Sequence, residues 1–343
     1  MKPELNREYP ELDDPKVFEE MVNLTVAQMK PVCGHLRRGQ HAKATGSVTA
    51  EFRIADEVPA DLRHGIFREP GRTFNAIVRF SNSQGTFEKD GTGTARGLAI
   101  KLLDVVGTRA VPVDKDGTQD FLMIDHPVFP FPDPKAYVET ISRKNIPLIG
   151  DLVAAAHLVL LEPKELKILS AIKGKHVASP LQIRYWSGTP FWLGPASGGP
   201  GRAVKYLVVP RQSDRSVAPE HAGDLAEDYL TQALVIGLQT HEAVFDFKVQ
   251  LQTDPEAMPV EDVSVEWKEE DSEPVTVAVL RIPPQKVFGE SPLAVDAASA
   301  LAAQVESMSF NPWHALAEHR PIGGMNRLRK VVYQASIEKR GVH

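Results

Sequence analysis

Residues 36–54 read LRRGQHAKATGSVTAEFRI, in which small residues lead into an alternation of apolar and polar residues typical of a β-strand. A second alternating run, FNAIVRFSNS, extends from Phe74 to Ser83. Side chains of a strand point alternately to its two faces, so Arg79 and Ser81 share a face. His41 comes just before the first strand, which places its imidazole at the rim of a β structure. We expect Ser81 to orient this imidazole and Arg79 to point at an anion.

Short strand segments and longer helical segments follow one another along the chain. The strand segments are rich in β-branched or aromatic residues and are separated by turn residues. The pattern predicts an α+β fold with a β-barrel core and added helices. The predicted strands are Ser47–Ile54, Phe74–Ser81, Gly97–Leu103, Asp120–Asp125, Ala203–Pro210, Ala243–Thr253, Val263–Trp267 and Val275–Ile282. The predicted helices are Pro15–Met29, Pro134–Arg143, Leu148–Leu161, Pro163–Ile172, Gly223–Leu238, Ala294–Met308 and Met325–Ser336.

The C-terminal segment PIGGMNRLRKVVYQASIEKR, Pro321–Arg340, places Arg329 and Tyr333 four residues apart. On a helix these two residues share a face, so the guanidinium can reach the phenol oxygen and favour its phenolate form. Ionisation at pH 7 requires the phenol pKa to fall by about three units from about 10, of which a neighbouring cation supplies about one to three. A phenolate is a hard anionic ligand suited to ferric iron. The alternative is a surface arginine beside a half-buried tyrosine, and the pair by itself leaves both interpretations open.

Composition narrows the classes of function. The chain has 343 residues, of which 42% are hydrophobic and 24% charged, values typical of globular proteins. A net charge of -6 without a basic run argues against nucleic-acid binding. The start, MKPELNREYPELDD, is polar, and no apolar stretch is long enough to span a bilayer. With a single cysteine, Cys33, we expect a cytoplasmic protein without a membrane partner.

Six short blocks resemble the haem catalases in identity and in order, and together they span residues 36–340. The resemblance implies an eight-stranded antiparallel β-barrel of the catalase type with surrounding helices, and haem b as the cofactor. The chain is similar to the short, catalase-related peroxidase branch, so we expect no C-terminal flavodoxin-like domain. The blocks are RxxHAKxxG (Arg38–Gly46), VRFS (Val78–Ser81), ARGLAIK (Ala95–Lys101), PVF (Pro127–Phe129), VExxxFNP (Val305–Pro312) and RxxxY (Arg329–Tyr333).

The resemblance also implies roles for individual residues. His41 matches the distal histidine that moves a proton between the two peroxide oxygens, and Ser81 matches its hydrogen-bond partner. Tyr333 matches the axial iron ligand, with Arg329 as its partner. The remaining matches are Arg38, Arg79 and Arg340 for the arginines that pair with the haem propionates, and Tyr137 for an aromatic ring that stacks on the distal haem face.

Two positions depart from the family pattern. The family carries a distal asparagine before the PVF block, where this chain has Ile124, followed by Asp125 and His126. The residue before the distal histidine is usually apolar in the family and is Gln40 here. We therefore expect a peroxide site that lacks one hydrogen-bond donor, and the sequence leaves the roles of Asp125 and His126 open.

The resemblance predicts an N-terminal helical arm over residues 1–35 and a catalase-like haem-binding domain over residues 36–343. It predicts a haem peroxidase with weak catalase activity, which acts on hydrogen peroxide or organic hydroperoxides and uses an organic electron donor. Two alternatives are an enzyme that rearranges fatty-acid hydroperoxides and a non-catalytic haem-binding protein. A short arm and the absence of an added domain favour a homodimer or another small homo-oligomer.

Overall fold

Eight strands close into a barrel, and helices cover part of its outer face. The computed structural model describes residues 2–32, 34–112, 117–144, 163–197, 199–211, 226–287 and 300–342. The strands are β1 (Pro31–Val32), β2 (His35–Leu36), β3 (Ala44–Ile54), β4 (Thr73–Asn82), β5 (Arg96–Leu102), β6 (Gln119–Ile124), β7 (Tyr185–Trp186), β8 (Phe191–Leu193), β9 (Arg202–Pro210), β10 (Ala243–Leu251) and β11 (Val275–Ile282). The α-helices are α1 (Pro15–Gln28), α2 (Pro134–Lys144), α3 (Pro163–Lys173), α4 (Tyr229–Thr240), α5 (Ala300–Ser307) and α6 (Gly324–Arg340).

The barrel closes because each of its eight strands pairs with two neighbours. The ring runs β3, β4, β5, β6, β7, β9, β10, β11 and back to β3, and all of these pairings are antiparallel. The short strand β8 attaches to β9 beside the ring. The prediction of an eight-stranded antiparallel barrel is therefore confirmed.

One strand of the ring differs from the sequence prediction. Val263–Trp267 forms turns and irregular backbone, so the strand predicted there was wrong. The eighth strand of the ring is instead β7, which lies between β6 and β9. Tyr185 of β7 pairs with Val208 of β9, and Trp186 pairs with Ile124 of β6. The apolar pattern of the loop reflects burial of its two end residues. A strand of two residues is too short for an alternating pattern to reveal.

Aromatic side chains fill the inside of the barrel. The Phe121 ring lies 4.7 Å from the Phe247 ring and 5.0 Å from the Tyr206 ring, and Phe52 lies 5.0 Å from Phe247. All four side chains are buried. Aromatic pairs at these distances contribute about 0.5–1.5 kcal/mol each beyond the burial of their area. Because side chains fill the interior, a ligand site has room only on the outer face of the barrel wall.

The long helix α6 covers the outer face of β4 and β6. Tyr333 of α6 packs beside Ile77 of β4 and Leu122 of β6 in one apolar cluster. On its other side α6 contacts α1 and α2, where Met21 and Val138 are buried. The helix thus lies between the barrel wall and the two outer helices, and it begins after Gly323, whose φ is +87°. A Cβ at Gly323 would come within 2.7 Å of the Val260 carbonyl oxygen, so this start requires glycine.

Most predicted helices are present, with shifted ends. The predictions for α1, α2 and α3 agree with the structure within one residue at each end, and α6 extends four residues beyond its predicted end. The predicted helices Gly223–Leu238 and Ala294–Met308 correspond to α4 and α5, and their first residues are outside the described ranges. The predicted helix Leu148–Leu161 also lies outside the described residues.

Arg327 joins the N-terminal segment to the start of α6. Its Nε donates to Asp13 at 2.6 Å and its Nη1 donates to Glu8 at 2.8 Å. The Glu261 carboxylate accepts a hydrogen bond from the backbone N–H of Gly324 at 2.6 Å and stabilises the first turn of the helix. The division of the chain at residue 35 into an arm and a domain stays a prediction.

None of the helices in the described ranges is both long enough and apolar enough to cross a membrane.

Candidate active site

A cavity of about 300 Å³ lies on the outer face of the barrel, bounded by β4, β5, β6 and the helices α1, α3 and α6. Most of its wall is apolar, and its charged lining residues in the described ranges are all basic. All eight predicted site residues line this single cavity. They are Arg38, His41, Arg79, Ser81, Tyr137, Arg329, Tyr333 and Arg340.

His41 occupies a strained backbone position at the rim of the barrel. Its φ of +54° lies in the left-handed region that residues other than glycine seldom adopt. The position is fixed by hydrogen bonds from the His41 N–H to the Ser83 carbonyl at 3.2 Å and from the Ala42 N–H to the Gln84 carbonyl at 2.9 Å. The imidazole Nδ1 lies 2.9 Å from the Ser81 Oγ, as the sequence predicted. Strain of this kind is often found at functional sites.

Gly97 provides the space in which the imidazole lies. In the antiparallel register Gly97 of β5 pairs with Ser81 of β4 on one side and with Ile124 of β6 on the other. A Cβ at Gly97 would come within 2.5 Å of the His41 Nδ1 and 2.6 Å of the Ser81 Oγ. Sequence reasoning did not single out this residue. The sequence did contain a signal for it, because a glycine within a strand often marks the close approach of another group.

The surroundings of His41 keep its imidazole neutral. Burial, together with the positive charges of Arg79, Arg329 and Arg38, lowers the pKa of His41 from 6.5 to about 3. When Nδ1–H donates to Ser81, the lone pair of Nε2 remains available as a proton acceptor. The site therefore presents a neutral base at physiological pH.

Tyr333 and Arg329 share one face of α6, as their spacing predicted. The guanidinium carbon of Arg329 lies 5.4 Å from the centre of the Tyr333 ring, over the ring and not at the phenol oxygen. It is held there because Nη1 donates to Thr189 Oγ1 at 3.0 Å and to Asn326 Oδ1 at 3.1 Å. Within the described part of the chain the phenol hydroxyl of Tyr333 makes no hydrogen bond. Sequence reasoning missed Thr189, since it lies 140 residues from Arg329.

The remaining arginines meet a carboxylate at the end of α5. Glu306 accepts hydrogen bonds from Arg38 and, at 2.9 Å, from the Nε of Arg79. Arg340 donates to the backbone carbonyl of Glu306 at 2.9 Å. Burial alone would raise the pKa of Glu306, but Arg79 and Arg38 lower it to about 2, so the carboxylate stays ionised. Glu306 was not predicted as a site residue, although it stands in the VExxxFNP block.

Tyr137 lies in an aromatic cluster at one side of the cavity. Its ring centre is 5.3 Å from that of Phe129 and 5.2 Å from that of Phe131. Burial raises the pKa of Tyr137, and the neighbouring Tyr333 raises it further, so the phenol is un-ionised. Its predicted stacking on a haem face stays a prediction.

Ile124 lines the cavity, whereas the two residues after it are absent from the cavity wall. The buried Asp125 accepts a hydrogen bond from the backbone N–H of Arg96 at 2.7 Å and pairs with Lys175 at 3.1 Å. His126 contacts the Val128 carbonyl through Nδ1 at 3.1 Å. Neither residue replaces the hydrogen-bond donor that Ile124 lacks.

The comparisons with known proteins agree with the observed fold. No family model matches the chain. The catalase-related peroxidase of Mycolicibacterium paratuberculosis is 28% identical over 185 residues. A fungal catalase superposes with a TM-score of 0.66 at 19% identity, and catalase A from Saccharomyces cerevisiae with 0.67 at 17% identity. The chain has the catalase fold and is similar in sequence to a catalase-related peroxidase.

The structural similarity extends over the barrel and its helices. The two catalase superpositions each cover 98% of this chain, and they cover 64% and 65% of the catalases. The sequence match to the catalase-related peroxidase covers 53% of this chain and 55% of that protein. The chain thus spans about half the length of the curated relative and about two thirds of the solved catalases. At these identities the superpositions establish the catalase fold, and the activity has to be argued from the cavity.

We expect the imidazole of His41 to stay neutral throughout the range from pH 5 to pH 8, because its pKa is lowered to about 3. An unperturbed histidine titrates near 6.5 and would change charge within this range. The measurement is an NMR titration of the histidine side chains in the haem-free chain, with His41→Gln to assign the signal. A His41 midpoint between pH 6 and 7 would show that burial and the neighbouring arginines do not lower its pKa.

Proposed function

We propose that the chain is a haem-dependent, catalase-like peroxidase that acts on hydrogen peroxide or organic hydroperoxides, with His41 as the acid–base residue and Tyr333 as the axial iron ligand. The observation that supports the proposal is that the candidate functional side chains line one cavity. It holds a neutral imidazole bonded to a serine, an unbonded phenol beside an arginine, and three further guanidinium groups. The proposal includes haem b as cofactor and a small organic molecule as electron donor.

The donor set of the cavity fits a haem. The hydroxyl of Tyr333 is available to ligate iron, and the guanidinium of Arg329 lies over its ring. Arg38, Arg79 and Arg340 suit the two propionates, because guanidinium groups bind carboxylates bidentately and stay charged when partly buried. The Nε of Arg340 is buried and has no hydrogen-bond partner in the described ranges, so a donor remains for a ligand.

The chemistry divides between the cofactor and the residues of this chain. Haem held by Tyr333, Arg38, Arg79 and Arg340 would supply the iron and the electrons for reduction of the peroxide. His41 accepts the proton of the hydroperoxide O–H at Nε2 and returns it to the far oxygen, which leaves as water or an alcohol when the O–O bond breaks. Ser81 accepts the Nδ1–H and so keeps Nε2 as the acceptor. The low pKa of His41 makes the protonated imidazole a strong acid, which favours the second transfer.

Ile124 supports peroxidase over catalase activity. Catalatic turnover requires a second peroxide to be held near the iron and oxidised to oxygen, and an amide at this position helps to bind it. Ile124 cannot donate a hydrogen bond, and Asp125 is engaged with Arg96 and Lys175. Oxidation of an external donor makes no such demand, because it does not require a second peroxide to be bound.

The cavity also bears on the alternative of a non-catalytic haem-binding protein. It reaches the His41–Ser81 pair, which favours a catalytic protein over one that only binds haem. The cytoplasmic location and the homodimer or other small homo-oligomer belong to this proposal and rest on the sequence alone.

Replacing His41 with Ala is expected to lower the rate of peroxide-dependent donor oxidation by about 10² to 10⁴-fold, the usual contribution of a general acid–base residue. Haem content should stay that of the parent, because His41 is not proposed to ligate iron. Ser81→Ala should cost less, since it only orients the ring. The measurement is steady-state oxidation of a phenolic donor, with haem content determined on the same samples.

Ser336→Ala is a matched control, because it removes a cavity-lining hydroxyl that accepts a hydrogen bond from the Gly39 N–H and is distant in sequence from His41. It should leave the rate within about threefold of the parent. A His41→Ala protein with full haem content and more than a tenth of the parent rate would exclude His41 as the proton-transfer residue.

Replacing Ile124 with Asn is expected to increase oxygen evolution from hydrogen peroxide by about one to two orders of magnitude. A hydrogen bond gained in a dry site corresponds to about 1–3 kcal/mol. Donor oxidation should change little. The measurement compares oxygen release at an electrode with donor oxidation in the parent and the variant.

Ile124→Val provides the control for a change of shape at this position without a new hydrogen-bond donor. It should not gain oxygen evolution. If the parent already evolves oxygen as fast as a full-length catalase, or if Ile124→Asn gains nothing, then Ile124 does not separate this chain from the catalases.

A further inference from the structure

Ser83 and Thr94 form a polar pair in the cavity wall that has no role in the proton transfer described above. Ser83 follows Ser81 by two residues and lies just beyond the end of β4. The Ser83 carbonyl accepts the His41 N–H at 3.2 Å, and its own N–H donates to the Ala95 carbonyl at 3.0 Å. The hydroxyl groups of Ser83 and Thr94 are in direct hydrogen-bond contact, and both residues line the cavity.

One proton of this hydroxyl pair has no partner. A hydroxyl group donates one hydrogen bond and accepts up to two. When one hydroxyl of a pair donates to the other, the proton of the second hydroxyl remains to be placed. In the described ranges neither hydroxyl makes a further hydrogen bond; Thr94 is only 6% exposed and Ser83 is half-buried. Since most of the cavity wall is apolar, the remaining proton favours a ligand with an acceptor oxygen.

The pair lines the same cavity as Ile124 and His41. Ile124 lies two strands from Ser81 across the sheet, with Gly97 between them, whereas Ser83 follows Ser81 along the chain. Because His41 is bonded to Ser81 through Nδ1 and to the Ser83 carbonyl through its backbone, the hydroxyl pair is fixed relative to the imidazole.

The chemistry of the pair indicates the kind of group that it binds. A hydroperoxide is neutral, carries an acceptor oxygen pair and has a proton to give. The Ser83–Thr94 pair offers one donor and several acceptor lone pairs without a charge, and no Asp or Glu of the described ranges lines the cavity. Such a wall accepts a neutral, small and polar ligand and leaves the deprotonation to His41.

We propose that the Ser83 and Thr94 hydroxyl groups bind the hydroperoxide group and hold it for His41, in place of the donor that Ile124 cannot supply. This inference rests on the proposed peroxidase function. The hydroxyl proton that is not used in the Ser83–Thr94 hydrogen bond would be donated to a peroxide oxygen. The peroxide O–H would then face the Nε2 of His41. The substrate class is a neutral hydroperoxide whose O–O–H end enters the cavity.

The test is the double variant Ser83→Ala, Thr94→Val, with both single variants, in the haem-containing protein. Either hydroxyl alone keeps one donor, so each single variant should raise KM for hydrogen peroxide by less than about threefold, and the double variant by about tenfold or more. The kcat at saturating peroxide and the haem content should stay those of the parent. Azide, which accepts a hydrogen bond at its outer nitrogen, should also bind about tenfold more weakly to the double variant in an absorbance titration.

Ser187→Ala is the matched control. The Ser187 hydroxyl also lines the cavity, but its proton is already donated to the Thr189 carbonyl at 2.8 Å. It should change neither KM for peroxide nor the affinity for azide.

The possible outcomes separate the two proposals. A double variant with normal haem, a His41-dependent rate and unchanged KM and azide affinity would overturn the role of the hydroxyl pair and leave the peroxidase proposal standing. A parent protein that binds no haem would overturn the peroxidase proposal, and the role of the pair with it. Loss of kcat with unchanged KM would also contradict a binding role.

Discussion

The antiparallel register of β4, β5 and β6 is the constraint on which the site depends. It sets Ser81, Gly97 and Ile124 side by side in one row. Gly97 leaves the space for the imidazole, Ser81 binds its Nδ1, and Ile124 closes the row as an apolar wall. A shift of one residue in either pairing would turn these side chains into the aromatic interior of the barrel and destroy the site. The filled interior thus fixes the register, and the register fixes the geometry of His41.

A second layer of structure completes the cavity from outside the barrel. Helix α6 brings Tyr333 and Arg329 to the wall, and Arg327 fastens the start of this helix to the N-terminal segment through Glu8 and Asp13. At the other end of α6, Arg340 bonds to the carbonyl of Glu306. Both ends of the helix are therefore anchored by arginines. This anchoring holds an ionisable phenol in place opposite a barrel wall that carries the histidine.

The electrostatics of the cavity follow from this arrangement. Basic groups on β4, on α6 and before β3 surround a space without a carboxylate from the described residues in its wall. Together with burial they keep His41 neutral, and they suit the carboxylates of the proposed haem. The one nearby carboxylate, Glu306, binds the arginines without lining the cavity.

The sequence predicted those parts of the site that depend on local periodicity. Alternation placed Arg79 and Ser81 on one face, and the four-residue spacing placed Arg329 beside Tyr333. It did not predict β7, because two residues carry no periodic signal, and it mistook a buried loop at Val263–Trp267 for a strand. The sequence also did not predict the roles of Thr189 and Glu306. Each contacts arginines from a distant part of the chain, and such pairs are determined by the tertiary fold.

The most direct test of the account is the absorption spectrum and haem content of the purified protein, compared with those of Tyr333→Phe. This substitution removes the phenol oxygen and changes the side-chain volume little. The account predicts that the parent binds haem with the charge-transfer bands of a phenolate-ligated ferric iron, which change on addition of peroxide, and that the variant loses these bands and most of its haem. A Tyr333→Phe protein that keeps the haem content and the bands of the parent would contradict it.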